Sequence, residues 1–279
     1  MEEQRPVIGT EIKESDLDKV LEYIRIERGV DLLSSYRRNF VLRRLRIRMR
    51  EVKVLDFAKY ISLIENNPEE FNNFLDVLSV NVTEFFRDRG VFDFFRDIIL
   101  PDLIKNKEGY KEKVIRIWSA GCASGQEPYS LAIIIKEALA DKKDFLARIT
   151  ASDIDSEALE RAKKAEYSIN DFKEMDNKII EKYFTLSYNE SYKLSNEIRN
   201  MVLFRRNNLI SDPPVHFIDA IFCRNVMIYF KREQQDLIFH KFNQALDRGG
   251  YLVIGKTETI WGKDLFTSVN AQQKVYQKS

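Results

Sequence analysis

The feature that most constrains this chain is an apolar strand that ends in a turn of small residues and continues at once as a long apolar helix. The strand is predicted at Val114–Trp118, the turn at Ser119–Gly125, and the helix opens at Gln126 and continues to about Ala140. A strand that breaks at glycines and re-enters as a helix leaves free backbone N–H groups around a small pocket. This stretch therefore predicts an α/β domain with a site for a nucleotide-like cofactor.

The residues around the two glycines of this turn exclude several kinds of site. A P-loop carries a lysine after its last glycine, but Gln126 and Glu127 follow Gly125, so a phosphate at the helix start would meet a carboxylate. Gly121 and Gly125 do not complete a dinucleotide fingerprint, and Ser124 stands one position late for a nucleophile elbow. What remains is a ligand without phosphates but with a cationic group beside Glu127, which S-adenosyl-L-methionine fits. A second interpretation stays open, because the helix macrodipole favours an acidic first turn without any ligand.

A second acidic position follows the next strand. Arg148–Ser152 is predicted as that strand, and Asp153 stands at its carboxyl end. Nucleotide-binding α/β folds accept hydrogen bonds from ribose hydroxyls at this place. Asp153 could also cap the next helix, although Asp155 or Ser156 would do so at least as well.

Length and composition indicate an ordinary globular protein of about two domains, with 279 residues, 44% hydrophobic and 32% charged. The first residues lack a signal-peptide layout, and no apolar run approaches the roughly 18 residues that cross a bilayer, so we expect a cytoplasmic protein. Cys122 and Cys223 form neither a disulfide framework nor zinc-ligand spacing, so no metal site is predicted. The net charge of +1 means that an electrostatic partner must be met by a local patch.

Two kinds of pattern divide the chain. The first 75 or so residues are predicted as helices, at Asp16–Arg28, from Ser34 or Ser35 to about Val52, at Leu55–Glu65, and from Pro68 to about Val80. Strands alternate with helices after them, at Val114–Trp118, Arg148–Ser152, Met201–Arg206, Phe217–Cys223 and Tyr251–Gly255, before a terminal antiparallel pair at Phe266–Val269 and Lys274–Gln277. A small hairpin is predicted within Tyr183–Ser195. The fold class is α/β, with a mostly parallel Rossmann-like sheet, an N-terminal all-α domain and an inserted hairpin.

One predicted helix is strongly basic. Between residues 36 and 50 the chain has seven arginines and no acidic residue, namely Arg37, Arg38, Arg43, Arg44, Arg46, Arg48 and Arg50. Leu42, Leu45, Met49 and Val52 form an apolar stripe, which predicts that the arginines flank it and point outward. Such a face suits an anionic partner, whether nucleic acid, a membrane surface or an acidic protein helix, although many charged faces are only solvated.

Five segments occur in an order that resembles a known family. They are Asn81-x-Thr83-x-Phe85-Phe86-Arg87, Gly121–Ser130, Ser152–Asp155, Asn208-Leu209 and Cys223–Phe230. Together they resemble the chemotaxis receptor methyltransferases of the CheR type, which transfer a methyl group from S-adenosylmethionine to glutamate side chains of chemoreceptors. The resemblance covers nearly the whole chain. It implies a class I methyltransferase domain over residues 91–279 with a β subdomain at about 183–200, a helical domain at 1–78 that helps to recognise the receptor, and a linker at 79–90 that contributes to the cofactor site.

The resemblance also implies roles for single residues. The cofactor-binding positions are Asn81, Thr83, Arg87, Gly121, Glu127, Asp153, Asn208, Leu209, Arg224 and Asn225. Among them, Glu127 would meet the ammonium, Asp153 the ribose and Leu209 the adenine. Arg87 and Tyr229 match the residues beside the transferred methyl group and are the catalytic candidates. The resemblance leaves open whether Arg87 binds the methionyl carboxylate of the cofactor or the substrate glutamate. A linker salt bridge and a core aromatic are the alternatives for these two residues. Many relatives have glutamate where this chain has Gln126, so we expect at most a weaker affinity for cofactor.

The partners follow from the same resemblance. It implies that Arg43, Arg46 and Arg50 bind the cytoplasmic helical region of chemoreceptors, that the product is S-adenosyl-L-homocysteine, and that the protein associates with receptor arrays. We expect a monomer that neither binds nucleic acid nor inserts into a membrane. Family members that dock on a receptor's C-terminal pentapeptide tether have a slightly longer, glycine-containing loop in the β subdomain. The loop Ser187–Tyr192 is compact and has no glycine, so the resemblance implies an enzyme that does not depend on the tether.

Two other functions are compatible with parts of the sequence. A nucleic-acid methyltransferase would use the basic helix, and Ser211–Val215 resembles an Asp-Pro-Pro-Tyr signature, but it precedes a strand and has Val215 in place of an aromatic residue. A non-catalytic cofactor-binding adaptor is the other alternative, and the presence of Arg87, Asn225 and Tyr229 gives no support for lost chemistry.

Overall fold

The computed structural model describes residues 14–28, 36–54, 56–77, 83–187, 190–261 and 264–279. The chain divides into two compact units. The first comprises Met1–Val80 together with Tyr229–Gln234, and the second comprises Asn81–Ile228 together with Gln235–Ser279. Among helices within the described ranges, none is long and apolar enough to cross a membrane.

The first unit is helical, as predicted, with some ends shifted. Its helices are α1 (Glu14–Arg28), α2 (Arg38–Glu51), α3 (Phe57–Asn66) and α4 (Pro68–Val77). Helix α3 begins after Asp56, whose side chain accepts a hydrogen bond from the Lys59 N–H at 2.9 Å. The predicted starts at Ser34, Ser35 and Leu55 lie outside the described residues.

The core of the first unit corrects the predicted stripe of α2. The buried residues of this helix are Val41, Leu45 and Met49, whereas Leu42 and Val52 are only half-buried. Positions four apart lie on one helix face, so the observed stripe follows the i, i+4 rule more strictly than the predicted one.

The prediction that all arginines of α2 point outward is wrong for Arg48. Its guanidinium donates to both carboxylate oxygens of Glu70, at 2.8 and 2.6 Å, and the Tyr60 hydroxyl donates to the same carboxylate at 2.9 Å. Glu70 is only 5% exposed, so an arginine is needed inside to balance its charge. Arg38 is also paired, with Asp18 of α1.

The second unit contains a seven-stranded sheet in the order β6-β2-β1-β7-β8-β10-β9. The strands are β1 (Lys113–Ala120), β2 (Phe145–Asp153), β6 (Val202–Arg206), β7 (Ile218–Cys223), β8 (Leu246–Ile254), β9 (Phe266–Asn270) and β10 (Val275–Lys278). The first five are mutually parallel, and β10 pairs antiparallel with both β8 and β9. The predicted fold class, a mostly parallel sheet with an antiparallel edge beside an all-α domain, is confirmed.

The helices of this unit precede β1 or lie between strands. They are α5 (Arg89–Phe94), α6 (Leu100–Lys107), α7 (Gln126–Ala138), α8 (Ser156–Lys164), α9 (Asn177–Tyr183), α10 (Asn196–Arg199) and α11 (Arg232–Ala245). A π-helical turn, Phe95–Ile99, joins α5 to α6 without a break. Both Phe95 and Ile99 are fully buried, and the Phe95 ring packs edge-on against Phe222 of β7 at 5.3 Å between centroids.

Strand β1 marks the position of the site. It pairs with β2 on one side and with β7 on the other, so the connections leave it in opposite directions. In parallel α/β sheets a crevice opens at the carboxyl ends of the strands at such a switch point, and ligands bind there.

A second, three-stranded sheet lies in the same unit, in the order β3-β5-β4. The predicted hairpin is present as β4 (Phe184–Leu186) and β5 (Tyr192–Leu194), with residues 188 and 189 of its tip outside the described ranges. The third strand, β3 (Glu166–Tyr167), was not predicted, because two residues are too short to show a period. Phe85 of the linker packs against rings of this region, with centroids 4.8 Å from Tyr167 and 5.3 Å from Phe184.

Candidate active site

The turn after β1 is tied closely to the neighbouring strand. The N–H groups of Gly121 and Cys122 both donate to the Ser152 carbonyl, at 2.7 and 3.0 Å. Gly121 has φ +83°, and a Cβ at this position would overlap with the side chain of Val226. Only glycine fits such a left-handed conformation with a neighbour so close.

Asp153 holds the same turn from the end of β2. One of its carboxylate oxygens accepts from the Ala123 N–H at 2.8 Å, and the other accepts from the Asp155 N–H at 3.0 Å. The capping of α8 belongs to Asp155, whose side chain accepts from the Ala158 N–H at 2.9 Å. Asp153 is 8% exposed, and its burial raises the pKa of the carboxyl group. It is therefore a buried acceptor at the crevice and does not serve as the helix cap.

Glu127 lies in the first turn of α7. Its carboxylate accepts from the Ser119 hydroxyl at 2.8 Å and lies 3.5 Å from the Arg224 guanidinium. Burial raises the pKa of Glu127, although the Arg224 charge counteracts part of that effect. With a side chain 13% exposed, Glu127 places a negative charge at the beginning of the helix where little water competes for it.

Arg224 joins the linker to this helix. Its side chain is 2% exposed, pairs with Asp88 at 2.6 Å and donates to the Arg87 carbonyl at 2.9 Å. Its Nε is buried and has no hydrogen-bond partner in the described part of the chain. Asp88 also pairs with Lys256 at 2.9 Å, and these two cations lower the pKa of Asp88 against the effect of its burial.

The linker itself has an unusual backbone. Phe86 and Asp88 have positive φ values of 55° and 61°. The Phe86 N–H donates to the Ser130 hydroxyl of α7 at 3.0 Å, and the Phe85 N–H donates to the Asp171 carbonyl at 3.0 Å. Left-handed conformations of such residues persist only where surrounding contacts fix them, so the linker holds Arg87, which is half-buried, in a defined place.

The loop after β6 is fixed by a lysine that the sequence did not single out. The Asn208 side-chain oxygen accepts from the Ile210 N–H at 2.9 Å, and Leu209 is 9% exposed. The Lys241 ammonium donates to the carbonyls of Leu209 and Asp212, at 3.2 and 2.9 Å. Backbone contact also links this loop to β2, because the Asn207 N–H donates to the Asp153 carbonyl at 2.9 Å.

Glu258 is a second residue that sequence reasoning missed. Its carboxylate is 3% exposed and accepts from the N–H groups of Gly255 at 2.6 Å, Met227 at 2.7 Å and Asn225 at 3.2 Å. Burial raises the pKa of Glu258, and these backbone donors oppose that rise. The signal that identified Asp153, an acidic residue just beyond a strand's carboxyl end, applies equally to Glu258 after β8.

The other predicted residues are placed as follows. Thr83 is half-buried in the linker, and Asn81 lies outside the described residues. Tyr229 is grouped with the first unit, where its ring lies 4.6 Å from that of Phe40 between centroids. In the same unit α2 exposes three arginines, Arg43, Arg46 and Arg50.

Contacts in the second unit connect most of the predicted cofactor positions along the carboxyl edge of the sheet. Gly121 and Asp153 hold the turn after β1, Arg224 spans the linker and Glu127, and Asn225 is fixed beside them. The set suits S-adenosylmethionine. The partly buried Glu127 and the buried Asp153 offer carboxylates for an ammonium and for ribose hydroxyls, and the 9% exposed Leu209 offers an apolar contact for a base.

The side-chain amide of Gln126 is engaged within the protein. The side chain is 3% exposed, donates to the Asp171 carboxylate at 2.9 Å and accepts from the Ser124 hydroxyl at 2.8 Å. Both of its polar atoms are occupied by protein partners. Gln126 therefore joins the turn after β1 to Asp171, whose carbonyl accepts from the Phe85 N–H of the linker.

A mostly parallel sheet with a crevice at its switch point and an acidic residue at the end of β2 is the arrangement of a nucleotide-type cofactor site. Comparison with protein families specifies the class as S-adenosylmethionine-dependent methyltransferases. The model described as CheR methyltransferase, SAM binding domain, matches residues 81–275, and the model described as CheR methyltransferase, all-alpha domain, matches residues 15–79. The chain belongs to the CheR methyltransferase family.

Named relatives align over most of their length. The chain is 31% identical over 260 residues to the chemotaxis protein methyltransferase of Borreliella burgdorferi, covering 91% of this chain and 92% of that protein. It is 34% identical over 242 residues to the chemotaxis protein methyltransferase of Salmonella typhimurium, covering 84% of this chain and 80% of that protein. For the Escherichia coli protein of that name the identity is 33%, with coverage of 84% and 81%. The resemblance found in the sequence motifs is thereby confirmed.

Proposed function

We propose that this enzyme transfers the methyl group of S-adenosylmethionine to glutamate side chains of chemoreceptors, giving glutamyl methyl esters and S-adenosylhomocysteine. The observation that carries the proposal is that the two family matches together span residues 15–79 and 81–275. The helical unit is therefore shared with chemotaxis protein methyltransferases, as well as the unit that binds the cofactor.

The chemistry requires little acid–base assistance. The cofactor supplies a methyl group bound to a positively charged sulfur. A glutamate with an ordinary pKa of about 4.3 is already a carboxylate at neutral pH, so its oxygen forms the new bond to carbon as the bond to sulfur breaks. The protein has to align the reacting atoms, at about 3 to 3.5 Å, and to remove water from the carboxylate.

The residues at the sheet edge support a division of the binding work. Glu127 holds the ammonium, Asp153 accepts from the ribose hydroxyls and Leu209 contacts the adenine. Thr83, Asn81, Asn208 and Asn225 complete the pocket around them. Arg224 contributes mainly by fixing the linker, because it already pairs with Asp88 and Glu127.

Arg87 and Tyr229 are proposed to position the substrate carboxylate. The linker gives Arg87 a defined place through its backbone contacts with Arg224. An arginine can bind a carboxylate with two parallel hydrogen bonds, and a tyrosine hydroxyl can add a third. Both side chains would replace the water that the attacking oxygen gives up.

We also propose that the chain divides into a helical domain at 1–78, a linker at 79–90 and a methyltransferase domain at 91–279.

The exposed arginines of α2 are proposed to bind the acidic face of a receptor's cytoplasmic helices. Arg43, Arg46 and Arg50 are exposed, whereas Arg38 and Arg48 are committed to ion pairs with Asp18 and Glu70. In this proposal the enzyme acts as a cytoplasmic monomer beside receptor arrays, without a need for a receptor tail peptide.

A labelling experiment tests the function. The protein is incubated with methyl-labelled cofactor and either a receptor cytoplasmic fragment or RNA, and the label is then treated with alkali. We expect alkali-labile label on the receptor fragment, as for a methyl ester. A matched fragment in which the methylated glutamates are replaced by alanine should stay unlabelled.

Two outcomes contradict the proposal. Alkali-stable label on RNA would indicate a nucleic-acid methyltransferase. Bound cofactor with no label on any substrate would indicate an adaptor.

A further inference from the structure

Glu258 joins the ends of two neighbouring strands of the sheet. One of its oxygens, Oε2, accepts from the N–H groups of Gly255 and Asn225, and Oε1 accepts from the N–H of Met227. Gly255 follows β8, and the other two donors follow β7. The two strands are direct neighbours, with Cys223 paired to Ile254 at their carboxyl ends. One buried carboxylate thus ties together the two segments that leave the sheet at this edge of the crevice.

The backbone around this carboxylate is shaped to fit it. Asn225 has φ +61°, a conformation that costs free energy unless contacts hold it. A Cβ on Gly255 would lie 2.8 Å from both Oε2 of Glu258 and the nitrogen of Asn225, so only glycine allows this approach. The left-handed turn at Asn225 directs its N–H toward Glu258.

We propose that Glu258 is a positioning residue for cofactor binding, which sets the conformation of the Arg224–Met227 segment through its backbone hydrogen bonds. The inference rests on the proposed function, because it takes Arg224 and Asn225 as part of the cofactor site. Glu258 acts through these residues and need not touch the cofactor.

A carboxylate suits this task better than an amide. Both oxygens accept hydrogen bonds from N–H groups, and an ionised carboxylate is acceptor-only. The isosteric Glu258→Gln keeps the volume but turns an NH2 group toward an N–H donor at one of the two oxygen positions. Hydrogen bonds to charged groups are about twice as strong as neutral ones. Glu258→Gln therefore weakens the hydrogen bonds that hold the Arg224–Met227 segment in place.

The matched control is a second buried carboxylate, at the amino end of β7, whose carboxyl end Glu258 holds. Asp219, near the start of β7, is 3% exposed, accepts from the Arg116 N–H at 2.7 Å and pairs with Lys107 at 2.6 Å. Asp219→Asn removes a buried charge of the same kind from the amino edge of the sheet. A general loss of stability should therefore affect both variants, whereas a loss of site geometry should affect only one.

The experiment measures the Kd for S-adenosylhomocysteine by calorimetry on the full chain, with thermal unfolding as the check of folding. We expect Glu258→Gln to raise the Kd about tenfold or more. Asp219→Asn should lower the melting temperature and leave the Kd of the folded protein within about twofold. Glu258→Asp, which keeps the charge but shortens the reach, should weaken binding by an intermediate factor and serves if the glutamine variant does not fold.

A coupling measurement separates positioning from direct contact. Asn225→Gly keeps the left-handed backbone and removes the side chain. If Glu258 acts through this segment, Glu258→Gln should cost less affinity in the Asn225→Gly background than in the wild type. The receptor KM should stay unchanged in Glu258→Gln while the cofactor KM rises.

The proposal is overturned if folded Glu258→Gln or Glu258→Asp binds the product as the wild type does, or if Asp219→Asn weakens binding equally. Failure of the proposed function looks different. A wild-type protein that binds S-adenosylhomocysteine but leaves receptor glutamates unlabelled would refute the substrate and leave the role of Glu258 intact.

Discussion

Glu127 and Asp153 keep carboxylates in largely buried positions, and burial raises the pKa of each. A raised pKa in the folded state means that the folded protein binds a proton more readily than the unfolded chain. Above that pKa each carboxylate therefore lowers the stability of the unliganded protein, and stability rises as the pH falls through it. The two carboxylates thus lower the stability of the unliganded protein. Groups with shifted pKa values of this kind are common at binding sites.

This charge arrangement predicts a pH-dependent affinity. Because its pKa is raised, Glu127 takes up a proton at a higher pH than an ordinary glutamate does. The protonated side chain no longer attracts an ammonium. The Kd for S-adenosylhomocysteine should therefore rise as the pH is lowered from about 8 to about 5.5. Glu127→Gln should bind more weakly at the higher pH and show a flatter profile by calorimetry. The exposed Glu160→Gln on α8 is the control, and an unchanged slope in Glu127→Gln would refute the assignment.

Gln126 gives a second prediction at this scale. In Gln126→Glu, a buried carboxylate would replace the amide that now donates to Asp171, and two like charges would face each other. We expect a loss of about 1 to 3 kcal/mol in the free energy of unfolding near neutral pH, measured in urea. The loss should shrink as the pH falls, because repulsion raises the folded-state pKa of the pair.

The compensating variant checks the cause. Gln126→Glu combined with Asp171→Asn restores a donor and an acceptor and should recover most of the stability. A double variant as unstable as the single one would show that the Asp171 contact is not responsible.

The arginines of helix α2 include some that are paired inside the protein and some that are exposed. Arg48 balances the buried Glu70, whereas Arg43, Arg46 and Arg50 remain exposed. The sequence shows seven arginines without distinguishing between them, because the acidic partners come from other helices.

Reversal of the exposed charges tests the receptor-binding role of α2. The triple variant of Arg43, Arg46 and Arg50 to glutamate should raise the KM for receptor fragment severalfold or more. It should leave the Kd for S-adenosylhomocysteine unchanged, because none of these residues belongs to the sheet unit. Steady-state kinetics with varied receptor and calorimetry with the product measure the two quantities.

The control for that variant carries the same change of charge elsewhere. Lys105, Lys111 and Lys143 are exposed residues that lie close in sequence to the amino ends of β1 and β2. Their reversal to glutamate should leave receptor KM close to that of the wild type. Equal effects of the two triple variants would point to net charge instead of a specific face.

The elements of the fold differ in how far sequence predicts them. The parallel strands could be predicted because buried strands such as β7 form short apolar runs bounded by turn residues. Strand β3 and the π turn at Phe95–Ile99 could not be predicted. Two residues show no period, and a π turn differs from an α-helix by its i→i+5 hydrogen bonds, which leave no mark in the residue pattern. The place of Asp153 at the carboxyl edge of the sheet could be predicted, because the residue stands at the end of an apolar strand. Lys241 gave no local sign of its role, because its three acceptors come from a loop about 30 residues away.

At the scale of the whole molecule, the chain consists of two compact units with separate cores. The helical unit depends on the Arg48–Glu70–Tyr60 cluster, and the sheet unit carries the carboxylates of the cofactor crevice. Ligand binding stabilises only the part that folds to make the site.

Calorimetry of the full chain should therefore resolve two unfolding transitions. S-adenosylhomocysteine at about 100 times its Kd should stabilise only the sheet unit, by about 2.7 kcal/mol. Glu70→Ala should lower only the free energy of unfolding of the helical unit, by about 3 kcal/mol, because it leaves Arg48 without its buried partner. A single transition that responds to both changes would show that the units unfold together.

The π turn between α5 and α6 also determines how the linker joins the sheet unit. A π turn holds one residue more than an α-helical turn, and one residue corresponds to about 100° of rotation around the axis. Deleting a residue there would let the helix run regularly, but α5 would then be rotated out of phase with α6. Asp88, next to the first residue of α5, would point away from Arg224. The extra residue thus rotates α5 relative to α6. The buried face of α6 and the direction in which the linker enters α5 therefore do not determine each other.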